Sequence, residues 1–443
     1  MKKTIMHIYI KTPKWVFPLL IIVIWRLFTM KTVTQFRISG DSISYINYSF
    51  KDFFSLNFDG RVPVYPAIIK LCNILFGEPY LRRVVQLQIL ASIVSTVFFY
   101  KAVETITKNK ILLFILMLGY GVSYSVTGWD YAILTESFSL SGTVVLLYFL
   151  LKYLDKPRFL WGVLAVAVLF VLTFLRPSFL VFNFILAAFF ILRLILCKSE
   201  RPLALKLLSS SLAVLAFIGL YSYNFSRTHD MFSISDAVPR QHLYIILEEG
   251  YYKSCSDAEF VKTAEEIWND ESISEKWTRM TMIKLKYGNK KISEYNSECI
   301  QKNFLPFVKN RLKIATYTSY SILPGLTGHI EARPAILWPT IVIENMATFL
   351  RVSHAYLIVG IEALVAVFLW IKRKSPPWIH LGLFAFLSAL LFTTFYGTCG
   401  EYERTMICIL PFMYIAVALF FKWVNEDIAV SKNKEFDSER EQI

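Results

Sequence analysis

Apolar residues run through this chain in long blocks, and the polar residues fall between them. Ten blocks, at roughly 15–30, 84–100, 110–128, 131–151, 159–175, 178–196, 204–224, 353–371, 379–396 and 405–423, each predict a membrane-spanning helix. Two weaker patterns separate the first block from the second. Ile43, Ile46, Phe50 and Phe53 recur at helical spacing, with Tyr45, Asn47, Tyr48 and Ser49 between them. This predicts a helix lying flat in the membrane interface, apolar face down. Val62 to Phe76 is apolar but short and carries Pro63 and Pro66. Pro63 suits a helix start and Gly77 a helix end, so a second interfacial or re-entrant helix is expected. A polar stretch, 227–334, holds Trp268 and Trp277 and reads as a small mixed soluble domain. Ile336 to Leu350 is a further interfacial candidate, and the charged tail from Asn425 is expected to be loose. The division is therefore a membrane module 1–226 with a first loop at 31–83, the soluble domain, a second membrane module 335–424 and a tail.

Charge fixes the expected orientation. Lys and Arg outnumber Asp and Glu by 47 to 33, a net charge of +14 that on a soluble protein would point to nucleic acid. Here only 18% of residues are charged and 55% are hydrophobic, so the excess acts on topology and no nucleic-acid partner is expected. Lys2, Lys3, Lys11 and Lys14 place the N-terminus inside. Alternation then puts 101–110, 152–158, 193–206 and 372–374 inside as well, and each is rich in Lys and Arg. The turns 128–131 and 397–403 carry neither and fall outside, together with the soluble domain. No cleavage site follows the basic N-terminus, so the first helix reads as uncleaved. The six cysteines show no metal spacing; Cys255 and Cys299 share the soluble domain and could pair.

The candidate chemistry gathers at the outer ends of these blocks. Ser39-Gly40-Asp41-Ser42 sets one carboxylate in a mobile turn at the start of the first interfacial helix. Asp41 is either that helix's N-cap or a working carboxylate at the water–lipid boundary. Arg61 and Tyr65 follow in Arg61-Val62-Pro63-Val64-Tyr65-Pro66. Glu136 lies a turn or two inside the fourth span, where a carboxylate is costly unless paired or functional, while Asp130 suits the water edge. Arg176-Pro177 ends the fifth span, and Glu401, Glu403 and Arg404 form the last outer turn. Ion pairs such as Glu136–Arg176 explain single residues; they do not explain why all gather on one face. His329 and Arg333 could join from the soluble domain, but a lone loop histidine is more often structural or solvated, so it is left out.

Gly40-Asp41-Ser42 with Tyr45, followed by Arg61-x-Pro-x-Tyr-Pro, resembles the GT-C superfamily of membrane glycosyltransferases, and in particular its bacterial protein-mannosyltransferase-like and aminoarabinose-transferase-like members. Thr135-Glu136-Ser137, Leu175-Arg176-Pro177 and Arg404 with Pro411 resemble the later motifs, so the likeness runs from about 15 to 420 outside the soluble block. The mannosyltransferase branch often has Asp-Glu where this chain has Asp41-Ser42, so no mannosyl donor is assigned.

The resemblance implies an α-helical polytopic protein of the bacterial cytoplasmic membrane with its active site outside. It implies an inverting transfer of sugar from a polyprenyl phosphate, among membrane lipids, to a glycan, lipid or protein acceptor. Asp41 would be the general base. Arg404, with Arg61 or Arg176, would hold the lipid phosphate, since a guanidinium fits phosphate and stays charged. Tyr65, Glu136 and Glu403 complete the implied binding set. No Gly-rich nucleotide loop or Asp-x-Asp pattern speaks for a nucleotide sugar. No cofactor is implied, and a divalent metal remains open because no ligand spacing argues for one. A transporter or flippase of lipid-linked glycans would carry charges along a central path and repeated halves. A polysaccharide polymerase would carry a large arginine-rich outer loop.

Overall fold

The computed structural model describes residues 13–32, 36–51, 53–56, 58–317, 355–399 and 402–424. The expected interfacial segment 336–350, His329, Arg333, Glu401, the first three N-terminal lysines and the tail lie outside them, and nothing of the Glu403 side chain is described. Among the described residues all regular structure is helical, apart from one isolated bridge between Arg37 and Ala132.

The chain opens with α1 (Val16–Thr32), followed by α2 (Gly40–Ile46) and α3 (Val64–Phe76). Pro63 caps the start of α3 and Gly77, at φ +58°, ends it, as those two residues predict. Next come α4 (Tyr80–Ile106), α5 (Lys110–Val122), short helical turns over 124–131, α6 (Glu136–Asp155), α7 (Phe159–Leu175), α8 (Leu180–Leu196) and α9 (Arg201–His229). The polar domain is built from α10 (Ala237–Glu248), α11 (Ala258–Trp268), α12 (Lys276–Lys302, broken at Gly288) and α13 (Phe304–Tyr317). Three apolar helices follow, α14 (Ala355–Arg373), α15 (Trp378–Gly397) and α16 (Arg404–Val424).

Six of these helices, α4, α6, α8 with its preceding turn, α9 with its preceding turn, α15 and α16, are long and apolar enough to cross a membrane. A seventh counts if α5 and the turns after it, bent by 44°, form one span. This is a multi-pass membrane protein; α1 and α7, at 17 residues each, are shorter apolar helices, and the count of ten remains an expectation.

Three expectations are corrected. The first interfacial helix ends at Ile46 because the chain leaves helical geometry at Asn47, and it buries Ser42 and Tyr45 while leaving Ile43 exposed. Its N-cap is Ser39, in a capping box with Ser42, so Asp41 is not the cap. The polar domain is helical in its described part, around a core of Leu243, Ile246, Phe260, Ile283 and Ile292, and Cys255 and Cys299 are free thiols within it.

Close helix packing sets the site. α6 and α7 form a hairpin across three residues, so the start of α6 and the end of α7 lie at one face. Gly142 of α6 has no room for a side chain, since a Cβ there would sit 2.6 Å from Leu172 of α7. Small residues allow this approach between membrane helices.

Candidate functional site

Four elements bring their charged ends together at that face. Asp41 stands in the first turn of α2, where the helix's positive end favours a carboxylate. Its Oδ1 accepts a hydrogen bond from Arg61, 2.5 Å away, and its Oδ2 accepts one from Arg404 at the start of α16. Arg404 also reaches Glu136, Nε to Oε1 at 3.1 Å, and Arg176 stands 3.7 Å from the same oxygen. The Arg176 Nη2 donates to the Arg404 carbonyl at 3.2 Å, which locks the end of α7 to the start of α16.

The paired glutamate and arginine foreseen from sequence thus exist, but as the inner part of a five-residue group. Glu136 is the first residue of α6 rather than a turn or two inside it. Glu136 is 2% exposed, whereas Asp41 is 27% and Arg404 18% exposed. The group therefore has a dry floor and a wet mouth. Glu136 Oε2 and Arg176 Nη1 find no hydrogen-bond partner, so the floor has unused bonding capacity.

Among the described side chains of this group, three guanidiniums face two carboxylates. Burial alone would push the Asp41 carboxyl up; the guanidiniums of Arg404 and then Arg61 outweigh it and hold the carboxyl well below the usual carboxylate range. An arrangement of this kind attracts a singly charged anion and keeps its own carboxylate ionised.

Tyr65 reaches this group only indirectly. It is fully buried, its hydroxyl donates to Gln88 Oε1 at 2.8 Å, and its ring meets Tyr45 edge-on. Tyr45 in turn lies under the Arg61 guanidinium, 5.1 Å from ring centre to carbon. Gln88, which was not anticipated, donates to the carbonyls of Asp130 and Ala132 at 2.9 and 2.8 Å. Gln88, Ser92 and Ser95 form a polar stripe at helical spacing inside an apolar block, and that stripe is the signal that marks an interior face.

Asp130 is corrected most. It is not at the water edge but fully buried, paired with Arg26 of α1, which is equally buried. Arg26 also donates to Ser92 Oγ at 2.8 Å and to the Gly121 carbonyl at 3.2 Å, and Ser137 donates to Asp130. The arginine that interrupts the first apolar block is therefore satisfied inside the bundle. The Arg37 N–H donates to the Tyr131 carbonyl at 2.8 Å and the Ile133 N–H donates to the Arg37 carbonyl at 3.0 Å, tying the first loop to this same segment.

Among the described residues no group of three or more His, Cys, Asp and Glu comes together to hold a metal ion.

No protein-family model and no curated protein matches the sequence. Solved structures do match the fold. The archaeal oligosaccharyltransferase AglB from Archaeoglobus fulgidus, in complex with an inhibitory peptide and a dolichol-phosphate, aligns with 96% of this chain at 14% identity and a TM-score of 0.51. A second structure of the Archaeoglobus fulgidus oligosaccharyltransferase, tethered to an acceptor peptide, aligns with 94% of this chain at 14% identity and a TM-score of 0.48. The chain spans 51% of the length of the first of these proteins. The chain thus shares its fold with this oligosaccharyltransferase.

Proposed function

We propose that this chain is a membrane glycosyltransferase that moves a sugar from a polyprenyl phosphate to a glycan, lipid or protein of the bacterial cell envelope, at the extracytoplasmic face. The observation that carries this reading is the grip of Arg61 and Arg404 on the two oxygens of Asp41, with Glu136 and Arg176 directly behind. The fold shared with AglB, whose structure holds a dolichol-phosphate, supports it.

A sugar joined to a polyprenyl monophosphate carries one negative charge, which suits three guanidiniums to two carboxylates among the described side chains. Phosphate competes with Asp41 for Arg404, because both offer oxygens to the same planar donors. Once Arg404 turns to phosphate, the Asp41 carboxyl loses its strongest positive neighbour and becomes a usable base. Donor binding therefore precedes activation of the base.

An acceptor hydroxyl then attacks the anomeric carbon. Its proton passes to Asp41, the carbon–oxygen bond to phosphate breaks, and the electron pair stays on the phosphate oxygen. The leaving phosphate now carries a second negative charge, and Arg404 with Arg176 stabilises it most when that charge develops. A single displacement inverts the anomeric centre.

The reading is tested by mass spectrometry of the membrane lipids of cells lacking this chain. A polyprenyl-phosphate sugar should accumulate there and disappear when the wild-type chain is restored, but not when the Arg404→Ala variant is. An unchanged lipid profile overturns the reading. Orientation is tested by cysteine labelling of intact cells, which should reach residues 260–290 and not 101–110.

A further inference from the structure

The two arginines that hold Asp41 lie far apart in the chain, Arg61 in the first loop and Arg404 at the start of α16. Helix α10 of the polar domain touches the first loop beside Arg61 and the end of α15, five residues before Arg404. At its N-terminal end the Asp236 N–H donates to the Gly60 carbonyl at 3.1 Å, one residue from Arg61. The contact is close: a Cβ on Gly60 would sit 3.0 Å from the Asp236 carboxyl carbon. Asp236 is itself fixed by Arg240 and Lys284, each 2.8 Å away. Beside it, His229 meets the Phe58 carbonyl at 2.7 Å.

One turn further on, the same helix holds the other segment. Gln241 Oε1 accepts from the Cys399 N–H at 2.9 Å, and the His242 Nε2 donates to the Tyr396 carbonyl at 3.0 Å. Burial pushes the His242 imidazole below the usual histidine value and so favours its neutral form. Arg311 of α13 adds a hydrogen bond to Tyr402, two residues before Arg404, at 3.2 Å. Asn296 of α12 donates to the Pro239 carbonyl at 2.9 Å and seats α10 on its own domain.

We infer that α10 is a strap that sets the spacing of Arg61 and Arg404, with Asp236, Gln241 and His242 as positioning residues. Asp236 to His242 is six residues, about 9 Å of helix. A helix of that length is stiff, so fixing its two contacts fixes the distance between the segments it holds. The polar domain thus reaches the phosphate grip without touching the ligand. This inference rests on the phosphate reading for its functional consequence, but not for its structural one.

The test uses the full chain in nanodiscs, with a C55 polyprenyl monophosphate and the uncharged polyprenol as probes. Replacing Gln241 and His242 together by Ala removes three hydrogen bonds, to the Tyr396 carbonyl and to the Cys399 N–H and Sγ, and should weaken binding of the phosphate lipid by roughly tenfold. Polyprenol binding should not change. His242→Gln keeps an N–H donor within reach of Tyr396 and should bind the phosphate lipid within about twofold of wild type. Hydrogen exchange of the unliganded protein provides the independent arm. In the double variant, protection should fall in 396–404, 58–62 and also 40–46, the helix of Asp41. Loss confined to 396–399, or phosphate-lipid binding equal to wild type in a variant that has lost those contacts, overturns the strap. Should the double variant not fold, Gln241→Ala alone carries both arms. A wild-type chain that binds both lipids alike defeats the phosphate reading instead, and the exchange pattern still decides the strap.

Discussion

Two of the arginine–carboxylate groups among the described residues differ in almost every respect but composition. Arg26 and Asp130 are both 0% exposed, and serines and a backbone carbonyl take up their remaining donors and acceptors. Asp41, Arg61 and Arg404 are partly open to solvent, and with Glu136 and Arg176 the described side chains number three guanidiniums to two carboxylates. A dry pair with every bond satisfied holds elements in place. A wetter group with such a charge balance is one that a ligand can rearrange. Perturbed carboxylates alone do not distinguish a site from a strut; exposure and residual charge do.

The largest expected effect lies in the dry pair. Asp130→Ala or Arg26→Ala leaves a buried charge without its partner and should destabilise the protein by about 3–5 kcal/mol. Thermal unfolding in detergent measures this. Replacing both by apolar residues of similar size, Arg26→Met with Asp130→Leu, should recover most of the loss. A single variant as stable as wild type would erase the contrast between the regions.

Arg404→Ala should do the reverse. Its stability cost should be smaller than that of the dry pair, since Arg176 stays beside Glu136 and Arg61 beside Asp41 when Arg404 is removed. Transfer should fall by about 10²–10³-fold, the typical loss of one donor to a developing anion. Arg404→Lys should recover only part of it, because an ammonium lacks the planar fork. The variant should also shift titration. A carboxyl held low contributes stability at ordinary pH and loses it only as the pH falls through its depressed value. Without Arg404 the Asp41 value rises, so its remaining pairing with Arg61 should be lost at a higher pH than in wild type.

The smallest effect sharpens the border between the two regions. Tyr65→Phe leaves the Gln88 side chain one hydrogen bond short inside the bundle. It should cost about 1–3 kcal/mol of stability and change transfer only a few-fold, placing Tyr65 with the buried support.

Local signals carried much of this structure. Pro63 and Gly77 marked the ends of α3, Arg176-Pro177 marked the break between α7 and α8, and the apolar blocks marked the helices. Asp41, Arg61, Glu136, Arg176 and Arg404 were legible as a group, because the alternation of the apolar blocks puts the ends that carry them on one face. Pairing was not legible. Arg26 and Asp130 are 104 residues apart, and each alone reads as a breach in a helix or a water-edge residue. Asp41 and Arg404 are 363 apart, so only the folded bundle shows that one carboxylate takes both arginines. The role of α10 was hidden for the same reason, since backbone carbonyls at Gly60 and Tyr396 leave no mark in the sequence.

The central claim is that Asp41 takes the acceptor's proton. Asp41→Asn keeps the side chain's shape and a hydrogen-bond acceptor for one arginine, but not its basicity. Measured on the purified protein with a polyprenyl-phosphate sugar donor, the rate of transfer should fall at least about a hundredfold, the usual loss on removing a general base. Insertion, folding and donor binding should persist. Transfer by Asp41→Asn at a rate near that of wild type would contradict the account.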